Sequence, residues 1–130
     1  SRLTLYADGG TIGGSPGRAI YWSVGTQEWP ILRRLHESGR LRNSDEAEYH
    51  ALLDALRCAA IQCKTGDTVC VRMDCRPVLN HVRYRKPPRA PRLRAIYDQI
   101  QEVINSLNQK GVLIEFEWVC REEMHQILGH

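Results

Sequence analysis

Three carboxylates lie at positions where a purely structural explanation is weak. Asp8 ends a short run of alternating apolar and polar residues and is followed by two glycines that predict a tight turn. Asp74 ends another run of the same kind. Glu48 lies four residues before Leu52, on the apolar face of a predicted helix, where a carboxylate is costly to bury without a partner. If the three side chains meet, their oxygens could hold Mg²⁺ or Mn²⁺.

Such a cluster would support metal-assisted phosphodiester hydrolysis. Carboxylates brought together repel one another unless a cation neutralises them. Pairs of divalent ions about 3.5–4 Å apart can activate a water and stabilise the leaving oxygen of a phosphodiester. Each residue also has an ordinary explanation: Asp8 as a turn residue, Asp74 as a helix cap and Glu48 as a residue favoured by the helix dipole. The occurrence of all three in this order favours the metal site.

Periodicity and turn residues predict the elements that must bring the carboxylates together. The later strands are separated by helices, so they are expected to pair in parallel within an α/β sheet that has helices on its faces. Sites in such sheets form at the carboxyl ends of strands, where Asp8 and Asp74 are expected. The predicted strands cover residues 1–8, 18–24, 28–35, 68–74 and 112–119, and the predicted helices cover 43–63, 76–82, 91–110 and 122–128.

Length and composition indicate one globular domain over residues 1–130. With 42% hydrophobic and 25% charged residues, the chain is ordinary for a soluble protein. Its apolar runs are too short to span a membrane, and it enters a strand at once, so neither a membrane partner nor a signal peptide is expected. Five cysteines without a CxxC pair predict reduced thiols in a cytoplasmic protein. Nothing in the sequence predicts the oligomeric state.

Four stretches together resemble the ribonuclease H family, and most closely its compact type 1, reverse-transcriptase-like members. The family's first strand and glycine-rich turn are similar to LYADGGTIGGSPG, and its helix motif is similar to SDEAEYHALLDAL. Its fourth-strand motif is similar to VRMDCRPVLNHV, and its last strand and final helix are similar to EFEWVCREEMHQIL. The four motifs occur in the family's order and span nearly the whole chain.

The resemblance implies a ribonuclease H-like fold, with a five-stranded mixed sheet flanked by helices. It implies a metal-dependent endoribonuclease that cleaves the RNA strand of RNA–DNA hybrids, with Mg²⁺ or Mn²⁺ as cofactor. Asp8, Glu48 and Asp74 would then be the catalytic metal ligands. Glu48 would also contact the region of the 2′-hydroxyl, which distinguishes RNA from DNA.

Further residues are candidates for binding the nucleic acid. Gly9 and Gly10 lack bulk, so their backbone could let a strand approach closely. Asn43 and Ser44 lie where the family contacts the minor groove of the hybrid. A basic stretch between the two middle helices could follow a phosphate backbone, although it could also be a solvated loop; it contains Arg83, Arg85, Lys86, Arg89, Arg92 and Arg94. The three tryptophans are expected in the core or on the sheet surface.

The final helix departs from the family pattern. The family carries a fourth acidic ligand about seven residues after an Arg-Glu pair, and that position is Leu128 here. His125 lies one turn earlier and is a candidate to assist catalysis, because an imidazole binds Mn²⁺ and titrates near neutral pH. It could equally be an exposed residue on a frayed helix. His130, Glu122 and Glu123 are further candidates for completing the site.

Three explanations fit this departure. The enzyme could use one metal held by three carboxylates with help from His125. The chain could be an impaired or inactive relative that binds nucleic acid, or another group could complete the site. A nuclease of the same superfamily that acts on other DNA or RNA structures is a further hypothesis.

Overall fold

The computed structural model describes residues 1–13, 19–28, 30–36 and 44–129. For residues 30–36 it describes the backbone only. The elements are β1 (Arg2–Ile12), β2 (Ala19–Gly25), β3 (Pro30–His36), α1 (Ser44–Gln62), β4 (Thr68–Met73), α2 (Arg76–Arg83), α3 (Pro91–Lys110), β5 (Leu113–Trp118) and α4 (Arg121–Leu128). All predicted elements are therefore present, and apart from β1 their ends agree with the prediction to within two residues.

The five strands form one mixed sheet in the order β3-β2-β1-β4-β5. β1 pairs with β2 and β2 pairs with β3 in antiparallel fashion, whereas β4 pairs in parallel with both β1 and β5. The predicted α/β fold with a five-stranded mixed sheet is thus confirmed. The parallel pairs arise because α1 separates β4 from the first three strands, and α2 with α3 separates β5 from β4.

The central strand β1 has different partners along its two halves. Residues 2–6 pair with β4, and residues 6–12 pair with β2, so only Tyr6 is paired on both sides. The prediction that the strand ends at Asp8 in a glycine turn is wrong. Gly9 and Gly10 continue the strand opposite Trp22 and Tyr21 of β2. Asp8 therefore lies inside β1, just beyond the end of its pairing with β4.

Helix α1 packs against one face of the sheet, and α3 packs against α1. The apolar stripe predicted for α1 is confirmed, because Leu52, Ala55, Leu56 and Ala59 are all fully buried. Burying one leucine side chain contributes about 1.5–3 kcal/mol, so this stripe fixes the position of α1 firmly. Helix α3 ends at Gly111, which adopts a left-handed φ of 89° as glycine does at a helix end.

Helix α4 packs against β1 and β2. Its buried residues Met124 and Leu128 form a small second core with Tyr6 and Val119. Strand alternation places Tyr6 on the face of β1 opposite to Leu5, which belongs to the main core, so α4 covers the other face of the sheet. Among the described residues, no helix has the length and hydrophobicity needed to cross a membrane.

Candidate metal centre

The three carboxylates predicted as metal ligands come together at the end of the parallel strands. Asp8, Glu48 and Asp74 each offer one oxygen, and these atoms all lie within 4.8 Å of one another. Asp8 is held inside β1, Glu48 in the first turns of α1, and Asp74 directly after β4. Asp8 and Glu48 are buried, with only 7% and 6% of their surfaces exposed. The geometry is that of a small oxygen cluster open on one side.

Burial and repulsion by Asp8 disfavour the charged forms of Glu48 and Asp74. Burial and the Asp8 charge raise the pKa of Glu48 well above its usual value, although a hydrogen bond from the Gly9 N–H opposes the shift. Burial and the same charge raise the pKa of Asp74 to about 6, and the positive charge of Arg121 opposes this shift. A cation in the cluster would relieve this cost.

One atom of the cluster lacks the partner that a buried polar atom requires. The Gly9 N–H donates to Oε1 of Glu48 at 3.1 Å, whereas the buried Oε2 has no hydrogen-bond partner within the described chain. Buried oxygens are nearly always hydrogen-bonded or ligated. A hard divalent cation among three carboxylates would satisfy this atom, so the residues present fit Mg²⁺ or Mn²⁺.

The cluster borders a cleft of about 630 Å³. The other lining residues are Gly9, Gly10, Tyr21, Ser44, Asp45, Cys75, Arg76, Pro77, Trp118 and Arg121. Burial raises the pKa of the Cys75 thiol to about 12, so this sulfur stays protonated and is not a ready metal ligand. The two arginines bring positive charge to the side walls and could bind an anion next to the carboxylates.

A stacked pair of side chains forms one wall of the cleft. The guanidinium carbon of Arg76 lies 4.1 Å from the centre of the Trp118 ring, and Nε1 of Trp118 donates to the backbone oxygen of Asp74 at 3.2 Å. Trp118 is 41% exposed, which agrees in part with the predicted position on the sheet surface. Its place in the cleft was not predicted. Arg121, whose place in the cleft was also missed, lies three residues after β5 ends, near the carboxyl end of this parallel strand.

Comparison with known proteins assigns the family. The family model described as "Reverse transcriptase-like" matches residues 34–125, which is more than half of the chain. The chain belongs to the reverse-transcriptase-like ribonuclease H family. Homologues in this family hydrolyse phosphodiester bonds. No curated protein sequence matches the chain.

Solved ribonucleases H share the fold of this family member over almost its full length. The N-terminal ribonuclease H domain of a Mycobacterium tuberculosis protein, solved as a fusion with maltose-binding protein, is 25% identical, with a TM-score of 0.71 over 98% of this chain and 93% of that one. Ribonuclease H1 from Halobacterium salinarum is 21% identical, with a TM-score of 0.66 over 98% and 92%. A compost-derived ribonuclease H1 bound to an RNA–DNA hybrid is 20% identical, with a TM-score of 0.67 over 95% and 89%.

The glycines predicted to admit a nucleic-acid strand have a packing role as well. A Cβ atom at Gly9 would lie 2.6 Å from the backbone carbonyl carbon of Ala47, so the glycine lets α1 approach β1 closely. At Gly10, the same atom would lie 2.7 Å from the hydroxyl of Tyr21. Both glycines and Ser44 line the cleft, whereas Asn43 lies outside the described residues. Their contacts with nucleic acid remain predictions.

The basic stretch lies away from the cleft, at the far end of α2. Arg85, Lys86 and Arg89 are exposed and are not among the cleft residues. Arg83 donates to the backbone oxygen of Phe116 and lines a groove of about 270 Å³, whose walls also include Arg76 and Trp118. The groove shares Arg76 and Trp118 with the cleft and reaches Arg83 of the basic stretch. Arg92 has a structural partner, because its Nε lies 3.8 Å from the buried Glu46 carboxylate.

Helix α4 does not complete the carboxylate cluster with the residues that the sequence suggested. Leu128 is only 1% exposed and packs in the second core. His125 is exposed and does not line the cleft, so the structure does not bring it to the carboxylates. A carboxylate oxygen of Glu123 accepts a hydrogen bond from the Tyr6 hydroxyl at 3.3 Å, and Glu122 is exposed. His130 lies outside the described residues.

Proposed function

We propose that this chain is a metal-dependent endonuclease that cleaves the RNA strand of RNA–DNA hybrids. The observation that carries the proposal is Oε2 of Glu48, a buried oxygen without a hydrogen-bond partner in the described chain, in a cluster with Asp8 and Asp74. The family membership and the hybrid-bound relative of the same fold support this assignment. The residues present suit one of the hard cations Mg²⁺ and Mn²⁺.

Each wall of the cleft has a defined part in the proposed reaction. Asp8, Glu48 and Asp74 would hold the cation, which supplies Lewis acidity at a phosphate oxygen and a more acidic bound water. The Gly9 N–H fixes Oε1 of Glu48 and leaves Oε2 for the cation. Arg76 presents a guanidinium group to the substrate phosphate, and its stacking on Trp118 holds it in place. Cleavage would leave a 5′-phosphate and a 3′-hydroxyl.

The proposed nucleic-acid path runs from the cleft along α2. Arg76 begins this helix and Arg83 ends it, and the connecting groove joins them. Eight residues of helix span about 12 Å, which corresponds to about three to four base-pair steps of about 3.4 Å along a duplex axis. Arg85, Lys86 and Arg89 would extend the contact beyond the groove. Ser44 and Glu48 lie together in the cleft and are the groups proposed to meet the 2′-hydroxyl.

The direct test is cleavage of a hybrid whose RNA strand is labelled at its 5′ end, with Mg²⁺, with Mn²⁺ and with EDTA. We expect metal-dependent cleavage by the wild-type protein and none by the isosteric variant Asp8→Asn. Absence of cleavage with both metals by a folded wild-type protein contradicts the proposal. Duplex DNA, duplex RNA and single-stranded RNA in the same assay separate a hybrid-specific enzyme from a nuclease with another substrate.

A second candidate function is a hybrid-binding module without catalysis. The observation that favours it is the buried Leu128 at the position where the family carries an acidic ligand. This function predicts that hybrid binding weakens steeply with salt and is retained by Asp8→Asn, while the wild type shows no cleavage. Binding and cleavage measured on the same two proteins therefore decide between the two functions.

A further inference from the structure

The face of β1 that carries Asp8 is covered by α4, whose buried residues are apolar. Strand alternation places Asp8 on the same face as Tyr6. Helix α4 covers this face and turns Met124 and Leu128 onto Tyr6 and Val119. At 1% exposure, Leu128 belongs to this apolar contact and has no route to the cluster. The part of this face around Tyr6 is therefore covered by apolar side chains of α4.

The acidic residues at the start of α4 do not replace the missing group. Glu123 accepts from the Tyr6 hydroxyl at 3.3 Å, and that hydroxyl accepts from Arg72 at 2.7 Å, so Glu123 belongs to a network outside the cluster. Glu122 is exposed and does not line the cleft. Within the part of the chain that the structure describes, the oxygen cluster consists of Asp8, Glu48 and Asp74.

A fixed positive charge lies on the side of the cleft where a further carboxylate would be needed. Arg121 is the first residue of α4 and lines the cleft together with Asp74 and Tyr21. Its guanidinium therefore shares the cleft with the carboxylate cluster. Among the described residues it forms no ion pair. A second divalent cation at this position would be repelled by the guanidinium and would lack an acidic ligand from α4.

Charge balance is consistent with a single ion. The cleft is lined by four carboxylates, which are the cluster and Asp45, and by two arginines, so one divalent cation would balance their charges. Two divalent cations would leave the same residues with an excess of positive charge next to Arg121. We infer that the cluster holds one divalent cation and that Arg121 provides the positive charge beside Asp74 where a second cation would otherwise bind. This inference rests on the proposed metal-dependent function.

The first test counts Mn²⁺ ions on the full chain by calorimetry and by electron paramagnetic resonance. Both measurements are made on the free protein and on its complex with a cleavage-resistant hybrid that has 2′-fluoro sugars in the RNA strand. We expect one ion in each case, with the spectrum of an isolated Mn²⁺. Two ions, or the spectrum of a coupled pair, overturn the inference and leave the proposed function intact. No bound ion overturns both.

The second test changes the charge at Arg121, an exposed position where substitution should not disturb the core. Arg121→Gln should tighten Mn²⁺ binding by about threefold to tenfold, because it removes repulsion, and should slow hybrid cleavage. Arg121→Glu should create a second Mn²⁺ site. Arg121→Lys retains the charge and should keep one ion with near wild-type affinity. Arg57→Gln, which removes an exposed arginine on α1, is the matched control and should change neither quantity.

These variants separate the proposed role from a structural one. A merely structural arginine would leave the Mn²⁺ affinity and the number of ions unchanged in all three Arg121 variants. That result would overturn the inference. An unchanged affinity in Arg121→Gln together with a single ion in Arg121→Glu is therefore the decisive negative outcome.

Discussion

Strand β1 lies between two helices that contact it with opposite chemistry. On one side, α1 brings the buried carboxylate of Glu48 to Asp8, close enough for Gly9 to hydrogen-bond it. On the other side, α4 brings the aliphatic side chain of Leu128 against Tyr6. The first contact is costly for the protein without metal, whereas the second stabilises it. The Glu48 contact therefore serves the candidate metal site at a cost in stability, whereas the Leu128 contact contributes to folding.

Removing the carboxylate on the α1 side should have the largest effect. Glu48→Gln keeps the shape of the side chain but removes the charge from the buried ligand. We expect hybrid cleavage to fall by at least about a thousandfold, since a catalytic metal contributes several kcal/mol to the transition state. Calorimetry should show loss of Mn²⁺ binding. Gln99→Glu, a distant charge change on α3, should leave cleavage intact. Cleavage at the wild-type rate by Glu48→Gln would mean that the Glu48 contact of α1 does not serve the site.

Introducing a carboxylate on the α4 side should destabilise the protein. Leu128→Asp buries a charge among Tyr6, Val119 and Met124, and we expect the free energy of unfolding to drop by about 3–5 kcal/mol. Leu128→Met, which preserves volume and polarity, should cost less than about 1.5 kcal/mol. Urea unfolding measures both. A stable Leu128→Asp variant that gains Mg²⁺-dependent cleavage would mean that this face can serve the site after all.

The pH dependence of stability should report the cost of the cluster. The folded-state pKa values of Glu48 and Asp74 are raised, the latter to about 6, so folding favours the protonated acids. The stability that these two acids contribute is fully present below their unfolded-state pKa values of about 4. It is lost as the pH rises through their folded-state pKa values. The stability of the metal-free protein, measured by its melting temperature, should therefore fall as the pH rises from about 4 through about 6, with a smaller loss than that expected for Leu128→Asp. Saturating Mn²⁺ should reduce this slope. A slope unchanged by Mn²⁺ would contradict the metal site.

The smallest effect is expected at the wall of the cleft. Trp118→Ala removes the surface on which Arg76 stacks, an interaction worth about 0.5–1 kcal/mol at an exposed site. Hybrid affinity should fall by about twofold to fivefold, while the Mn²⁺ affinity stays unchanged. Fluorescence anisotropy with a labelled hybrid measures the first quantity. An equal loss in both quantities would indicate that Trp118 acts through its hydrogen bond to Asp74 instead.

Short-range patterns were sufficient to predict the elements and to select the three carboxylates that the structure brings together, whose role as metal ligands stays a prediction. Period-two alternation indicated β4, and the spacing of Glu48 from Leu52 placed it on the inward face of α1, as the structure confirms. These features depend on one element at a time. The number and order of elements then restrict the sheet to few topologies. The resemblance to the ribonuclease H family narrowed them further.

Features that depend on two elements at once were not predictable. Gly9 and Gly10 were interpreted as a turn because their pairing with β2 is a tertiary contact. Trp118 lines the cleft together with Arg76, which α2 brings from a distant part of the sequence. The burial of Leu128 likewise depends on how α4 lies over Tyr6. In each case the deciding partner is distant in sequence, so local propensity carries no information about it.

The change of partner along β1 gives the proposed cation a mechanical role. The sheet consists of an antiparallel ribbon and a parallel ribbon, which share β1 and overlap at Tyr6 alone. Asp8 belongs to the antiparallel ribbon, and Asp74 follows the end of the parallel one. An ion bound by both would cross-link the two ribbons next to their narrowest junction. Amide hydrogen exchange in residues 7–12 of β1 should then slow on metal binding, because the junction could no longer bend independently of the site.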